Sequence, residues 1–460
     1  MLLMWVTCTA TVADGAIQRA MTLVLRSKPR NPDDPSGFER YAELTDHLVA
    51  IAGHLQDVDG MRAAALLDDC ARSYCSQAKY APGMAAIDRA LSILEQLDES
   101  DDVGIASALS TQARLAFGLG QYLAAEVCLT RALKILHSMH GVDHPHVAAT
   151  LANLGMTQSH LGQLREAEAT LAAAVEIKAE IFGSHDLAVS YPLANLGNVQ
   201  RKLGRFAEAE ATMTQVVDIK ETAFGQPNHE VAFALTSLGA IQQENGRLQL
   251  AEETLCRALK IKENLFPADH PEIAITLGNL GIVQQLQGRL GEAESSQFRV
   301  LTILERSHGL QHMDVAGALG NLGVVQHLQK RFDEAEASQT RALGIVESIH
   351  DRSHVEYAAR LGDLGCVQLD QERLSEAGCS QAAALDVFEA VYGPSHPAVG
   401  KTLINLGRVQ RAQGLVVSSR ESFGRAATIF TEYFGPNHPL NELACGLLAT
   451  SDEPFDQRGR

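Results

Sequence analysis

A Leu-Gly pair returns every 42 residues: Leu154-Gly155, Leu196-Gly197, Leu238-Gly239, Leu280-Gly281, Leu322-Gly323, Leu364-Gly365 and Leu406-Gly407. The step never drifts. A second Leu stands three residues before each pair, from Leu151 to Leu403, and a Gln three residues after each Gly, from Gln158 to Gln410. An Ala recurs at 167, 209, 251, 293, 335 and 377, mostly within Glu-Ala-Glu. A fixed period means a chain built by stacking like units, not one wrapped round a single core. Length alone would otherwise divide 460 residues into about three ordinary domains.

Weaker copies extend the array. Arg89–Leu91 and Arg131–Leu133 hold the phase of Arg257–Leu259, and Leu448-Ala449 stands one period past Leu406-Gly407. Each unit carries two apolar-periodic segments, for example 273–287 and 290–305. Gly162, Gly204, Gly246, Gly288 and Gly414 break them, and a polar loop closes the unit. That loop often ends in His-Pro, as at His144-Pro145, His270-Pro271, His396-Pro397 and His438-Pro439. Proline at that place suits the first turn of a helix. The unit therefore reads as helix A, tight turn, helix B, loop.

A glycine inside a helix costs about 0.5–1 kcal/mol relative to alanine. The Gly of each Leu-Gly pair and the Ala of Glu-Ala-Glu fall where A and B should cross, and a missing side chain lets the backbones approach. Gly278, Gly320 and Gly362 are different. They precede the pair by two residues, so they point to another side of helix A, and only the three central units have them.

The pattern L-x2-L-G-x2-Q…A on two helices resembles the tetratricopeptide repeat (TPR). Leu stands for the usual Trp, Gln for the usual Tyr, and the period exceeds the common 34 residues. The form NLG…GR(L/F)xEAE…RALxI…HP resembles the kinesin light chain subclass, over about residues 61–449. The resemblance implies an all-α, right-handed α-solenoid of stacked antiparallel helix pairs. Residues 1–60 would be a helical N-terminal segment, 61–440 an array of about nine 42-residue repeats, and 441–460 a capping helix with a frayed tail. HEAT and armadillo repeats have a similar period but lack the small-residue signature. Asn31 to His54 resembles the segment that enters the TPR region of signal-transduction ATPases. Residues 1–60 show no sustained heptads, so the kinesin-binding coiled coil of light chains is not expected.

The net charge of −18 disfavours nucleic acid as a partner. The eight cysteines form no CxxC and read as buried structural thiols in a reducing, cytoplasmic setting. No apolar run reaches membrane-span length, and "MLLMWV" is short for a signal sequence. Gly393 to Thr402 imitates a P-loop but has six residues between its glycines where four are needed. His144, His270, His312, His354, His396 and His438 share one slot of the period. One histidine per unit, spread along a stack, does not converge within about 2.1 Å of one ion, so these read as loop or cap residues. His160 and His327 are groove candidates that read as solvated rather than catalytic. The acids of Glu-Ala-Glu read as a solvated face, and the Gln column as an amide network along stacked A helices. No enzyme, metal or cofactor is expected.

A solenoid of helix pairs offers a concave surface lined by its A helices, and in TPR proteins that groove binds peptides. The slot before the Leu-Gly pair often faces it. Here the slot holds Asn153, Asn195, Asn279, Asn321 and Asn405, with Ser237 and Asp363 completing the column. Amides can both donate to and accept from a peptide backbone. Gly278, Gly320 and Gly362, beside Ile282, Val324 and Cys366, should make an open apolar floor. Arg201 and Lys202 lie towards one end, and Lys401, Arg408 and Arg411 towards the other. The expected function is a non-catalytic interaction scaffold or adaptor for a protein or peptide with a hydrophobic anchor flanked by acidic residues. The alternative is a regulatory TPR arm acting with a separate signal-transduction ATPase.

Overall fold

The computed structural model describes residues 14–29, 38–56, 58–97, 101–225, 228–436 and 438–450. Trp5, Cys8, the "MLLMWV" segment, 31–37 of the N-terminal resemblance and the tail 451–460 lie outside the described residues. The described residues form 21 helices and no strand. By contacts the chain divides into two compact units, Met1–Lys202 and Leu203–Arg460.

The first unit holds α1 (Asp14–Ser27), α2 (Phe38–Leu55), and the pairs α3 (Gly60–Ser76) with α4 (Tyr80–Gln96), α5 (Asp102–Gly118) with α6 (Tyr122–His140) and α7 (Pro145–His160) with α8 (Leu164–Phe182), then α9 (Leu187–Lys202). The second opens with α10 (Phe206–Phe224). Its pairs are α11 (His229–Glu244) with α12 (Leu248–Leu265), α13 (Pro271–Leu286) with α14 (Leu290–His308), and α15 (Met313–Leu328) with α16 (Phe332–Ile349). They continue with α17 (Val355–Asp370) and α18 (Leu374–Tyr392), α19 (Pro397–Ala412) and α20 (Val416–Phe434), and α21 (Pro439–Ala449) closes the unit. Within each unit successive helices pack on one another, and the A helices α11 and α13, α15 and α17, and α17 and α19 also touch. Helices α13 and α15 scarcely meet.

The crossing glycines do what their spacing requires. A Cβ on Gly155 would stand 2.6 Å from Leu171 Cγ and 3.1 Å from the Ala167 carbonyl oxygen. Leu255 fills the same place against Gly239, and Phe423 against Gly407. In the three central pairs a glutamine does so: Gln297, Gln339 and Gln381 lie on Gly281, Gly323 and Gly365. Their Nε2 atoms donate to the carbonyl oxygens of Gly278, Gly320 and Gly362 at 3.1, 3.0 and 2.7 Å.

The A–B turn needs a left-handed residue. Gly288 supplies it at φ 78°, whereas Lys330 and Glu372 adopt φ 62° and 65° without a glycine's freedom. At the next helix start the histidine column caps. His144, His270, His312, His354, His396 and His438 each accept through Nδ1 from the backbone N–H two residues on, at 3.2–3.3 Å. Asn228 takes the same role at 2.7 Å.

Three expectations change. At four of its seven positions the Gln column bonds to helix B instead of to the next A helix. Gln284, Gln326, Gln368 and Gln410 accept from Ser296, Ser338, Ser380 and Ser422 on the B helix of their own pair, at 2.7–2.8 Å. The Glu-Ala-Glu acids are not merely solvated. Arg289, Arg331 and Arg373 each bridge the second Glu of the preceding unit (Glu252, Glu294, Glu336) to the first Glu of their own (Glu292, Glu334, Glu376). The period carries both sets of partners past the sequence neighbours that helix-face reasoning considers. Nor are the cysteines uniformly buried: Cys70 is, while Cys256, Cys379 and Cys445 are exposed.

Candidate functional site

The A helices of the second unit carry a face made by every third or fourth residue. On α13 it runs Ile275, Gly278, Ile282 and Gln285. Ile275 is 52% exposed, and Phe233, one period earlier on α11, is 39% exposed. Nothing lies within 4 Å of where a Cβ on Gly278 would stand. The reason is a size match between successive A helices. The slot two residues before each Gly278-type position meets that position on the preceding helix, as Thr276 meets Thr236 with hydroxyl oxygens 3.0 Å apart. Opposite Gly278 that slot holds Ala318. No atom of Ala318 comes within 4 Å of a Cβ placed on Gly278.

Gly320 corrects the expected floor. The same slot opposite it holds Arg360, and a Cβ on Gly320 would land on the guanidinium. This glycine exists to admit an arginine, so the open floor is not continuous from Gly278 to Gly362. Arg360 is only 12% exposed, with Glu356 Oε1 at 3.1 Å from Nε and Asp363 Oδ2 at 3.2 Å from Nη1. Burial pushes Asp363 up to about 6, with Arg360 pulling it down, Glu356 up, and His327 down. His327, expected to be solvated, instead lies 2.9 Å through Nε2 from Asp370 Oδ2 on the next A helix. Gly362 is nearly open, with Gln381 Oε1 3.8 Å from its missing Cβ.

Ile282 and Val324 are half-buried. Cys366 beside them is pushed up to about 12, by burial first and then by Asp363. Asn153, Asn195, Asn279, Asn321 and Asn405 are all half-buried, and none of these amides hydrogen-bonds through its side chain to another described residue. Arg408 and Lys401 on α19 are exposed, and Arg411 is half-buried. Arg201 and Lys202 belong to the first unit. There the Lys202 ammonium donates to Ser159 Oγ at 2.9 Å and to its carbonyl oxygen at 3.2 Å. His160 packs edge-on to Phe117, with ring centroids 4.9 Å apart.

Sequence reasoning passed over Phe233, Ile275 and Arg360. Arg360 had a visible signal. Its slot otherwise holds Thr150, Pro192, Ala234, Thr276, Ala318 and Thr402, all buried, and five of the six are small Ala or Thr. A long charged side chain in a column of buried, mostly small residues has to displace something.

A MalT-like TPR region matches residues 106–299, and a tetratricopeptide repeat model matches 272–348 and 314–378. Together they span more than half of the sequence. The chain is a tetratricopeptide-repeat protein. The apo quorum sensor NprR from B. thuringiensis is similar to this TPR protein at TM-score 0.58 and 12% identity, over 77% of this chain and 98% of that one. Aspartyl phosphate phosphatase F from Bacillus subtilis gives TM-score 0.52 and 12% identity, over 80% and 94%. A kinesin light chain protein from Podosopora anserina with nearly identical TPR-like repeats gives 0.40 and 23%, over 44% and 95%. At 12% identity the likeness to the first two is one of fold. No curated protein matches the TPR chain significantly. Among the described residues no helix is long and apolar enough to cross a membrane.

Proposed function

We propose that this TPR protein is a non-catalytic scaffold that takes a peptide or partner segment along the A-helix face of residues 203–460. The carrying observation is the uncovered apolar place at Gly278, with Ile275 exposed beside it and nothing within 4 Å of the missing Cβ. Burying one large apolar side chain there is worth about 1.5–3 kcal/mol, enough for an anchor. Asn279 and Asn321, with no side-chain bonds of their own among the described residues, are placed to pair with the guest backbone. Exposed Lys401 and Arg408 favour an acidic residue further along the segment. Arg360 fills the middle, so anchor and acid occupy separate places. Phosphatase chemistry does not transfer from a neighbour at 12% identity.

The test is a peptide-array screen on the full chain, followed by fluorescence titration of the best binder. Gly278→Leu fills the anchor place and should weaken binding at least tenfold. Arg408→Glu should weaken acidic peptides selectively. Unchanged affinity in both variants would overturn the groove reading.

A further inference from the structure

The cap histidines cannot share an ion along the stack, but inside one loop the geometry differs. His308 ends α14, His312 caps α15, and Asp314 stands in the first turn of α15. His308 Nδ1 lies 3.2 Å, and His312 Nδ1 3.5 Å, from the same Asp314 Oδ2. The two rings are 4.4 Å apart, and the three ligand atoms lie within 4.8 Å of one another. Ligands of a tetrahedral zinc, at about 2.0–2.1 Å from the ion, sit about 3.3–3.4 Å from each other. We propose that His308, His312 and Asp314 form a binding site for a zinc-class divalent cation, which ties the end of α14 to the start of α15.

The neighbouring units show why the site arises here. The cap histidine is stacked by whichever ring stands four residues earlier: Phe266 on His270 at 4.3 Å, Tyr392 on His396 at 4.3 Å, Phe434 on His438 at 4.2 Å. His308 lies tilted to His312 and brings a nitrogen; His140 and His350 bring one to His144 and His354 too, but the residue two past His144 is His146, and Glu356 goes to Arg360. The acid two residues after the cap is elsewhere taken. Glu230 pairs with Lys220 at 2.5 Å, Glu272 with Lys262 at 3.1 Å, and Glu356 with Arg360 at 3.1 Å. One period after Lys262 stands Leu304, buried and uncharged. Asp314 therefore has no lysine behind it and turns to the two imidazoles. Among the described residues this is the only trio of His, Cys, Asp or Glu whose ligand atoms converge in this way.

Two imidazoles and one carboxylate suit zinc and its borderline neighbours, while magnesium and calcium prefer all-oxygen sites. Half of the Asp314 side chain is open to solvent, so water completes the coordination. His312 Nδ1 now accepts from the Asp314 N–H at 3.2 Å, and the ion takes over that lone pair.

Calorimetric titration of the full chain with zinc chloride near pH 7.5 tests the site. Magnesium chloride is the control. His308→Phe keeps an aromatic ring beside the cap histidine, as Phe266 is beside His270, and removes the ligand nitrogen. The expected result is one zinc fewer per chain, or at least tenfold weaker binding at one site, in both His308→Phe and Asp314→Asn. Zinc should also raise the thermal midpoint of the wild type more than that of either variant. Exposed Cys256 and Cys379 can bind zinc on their own, and the difference between wild type and His308→Phe removes their contribution. Zinc stoichiometry and affinity identical in wild type and His308→Phe, or no zinc heat in the wild type, would overturn the proposal.

Discussion

Gly278 and Gly281 stand three residues apart on α13, and their surroundings are opposite. A Cβ on Gly281 would be 2.5 Å from Gln297 Nε2, whereas one on Gly278 would meet nothing within 4 Å. The same residue type is thus used once to bring two helices together and once where a space is left. The difference teaches that a glycine in a repeat cannot be interpreted from its own unit alone. The B helix of the same pair decides the fate of Gly281. The A helix of the next pair decides that of Gly278.

The comparison breaks if the two positions tolerate the same change. Gly281→Leu should cost about 3 kcal/mol, because Gln297 cannot retreat without losing its bond to the Gly278 carbonyl. Gly278→Leu should stay within about 0.5 kcal/mol of wild type, and Gly278→Ala should gain about 0.5–1 kcal/mol from helix propensity. Urea unfolding followed by circular dichroism measures all three. Next in size, Gly320→Ala should cost about 2 kcal/mol by expelling the Arg360 guanidinium. The same change made in an Arg360→Ala background should cost much less, and the double-mutant cycle reads the difference.

A smaller effect comes from the helix starts. Burial holds the imidazoles of His396 and His438 below the ordinary 6.5, with Lys401 adding to the shift. These rings cap only when Nδ1 is free to accept, so the folded chain keeps them neutral while the unfolded chain binds more protons. Their contribution is complete above 6.5 and is lost as pH falls through 6.5 towards the lowered folded values. Unfolding midpoints at pH 7.5 and 5.5 should differ less in a His396→Asn, His438→Asn variant, since Asn228 caps without titrating. Another modest change is at the turns. Lys330→Gly and Glu372→Gly should each gain up to about 1 kcal/mol, because both positions already hold a left-handed backbone.

Much of this was legible in the sequence. The 42-residue step gave the helix pairs, the crossing glycines and the turn glycines. It also gave the cap column, because each depends on residues within one unit. Part of what stayed hidden lies within one unit, as the Gln284–Ser296 bond does, and the rest lies between units. The Arg289–Glu252 bridge, the His327–Asp370 pair and the Arg360 seat on Gly320 join residues 37 to 43 positions apart. Such pairings depend on how far one helix is offset from the next, and a one-dimensional period does not state that offset. The three central glycines looked like one feature in the sequence. They separate into an empty place, a filled one and a nearly open one only when the opposing residues Ala318, Arg360 and Thr402 are set beside them.

The seat of Arg360 on Gly320 bears on how such a chain can change over time. Units that share a pattern can in principle be copied, lost or exchanged, since each touches little beyond its neighbours. An arginine shaped to a hollow in the adjoining unit removes that freedom locally. Moved next to Thr236, it would collide with a side chain. One matched couple therefore fixes who stands beside whom in an otherwise permissive row.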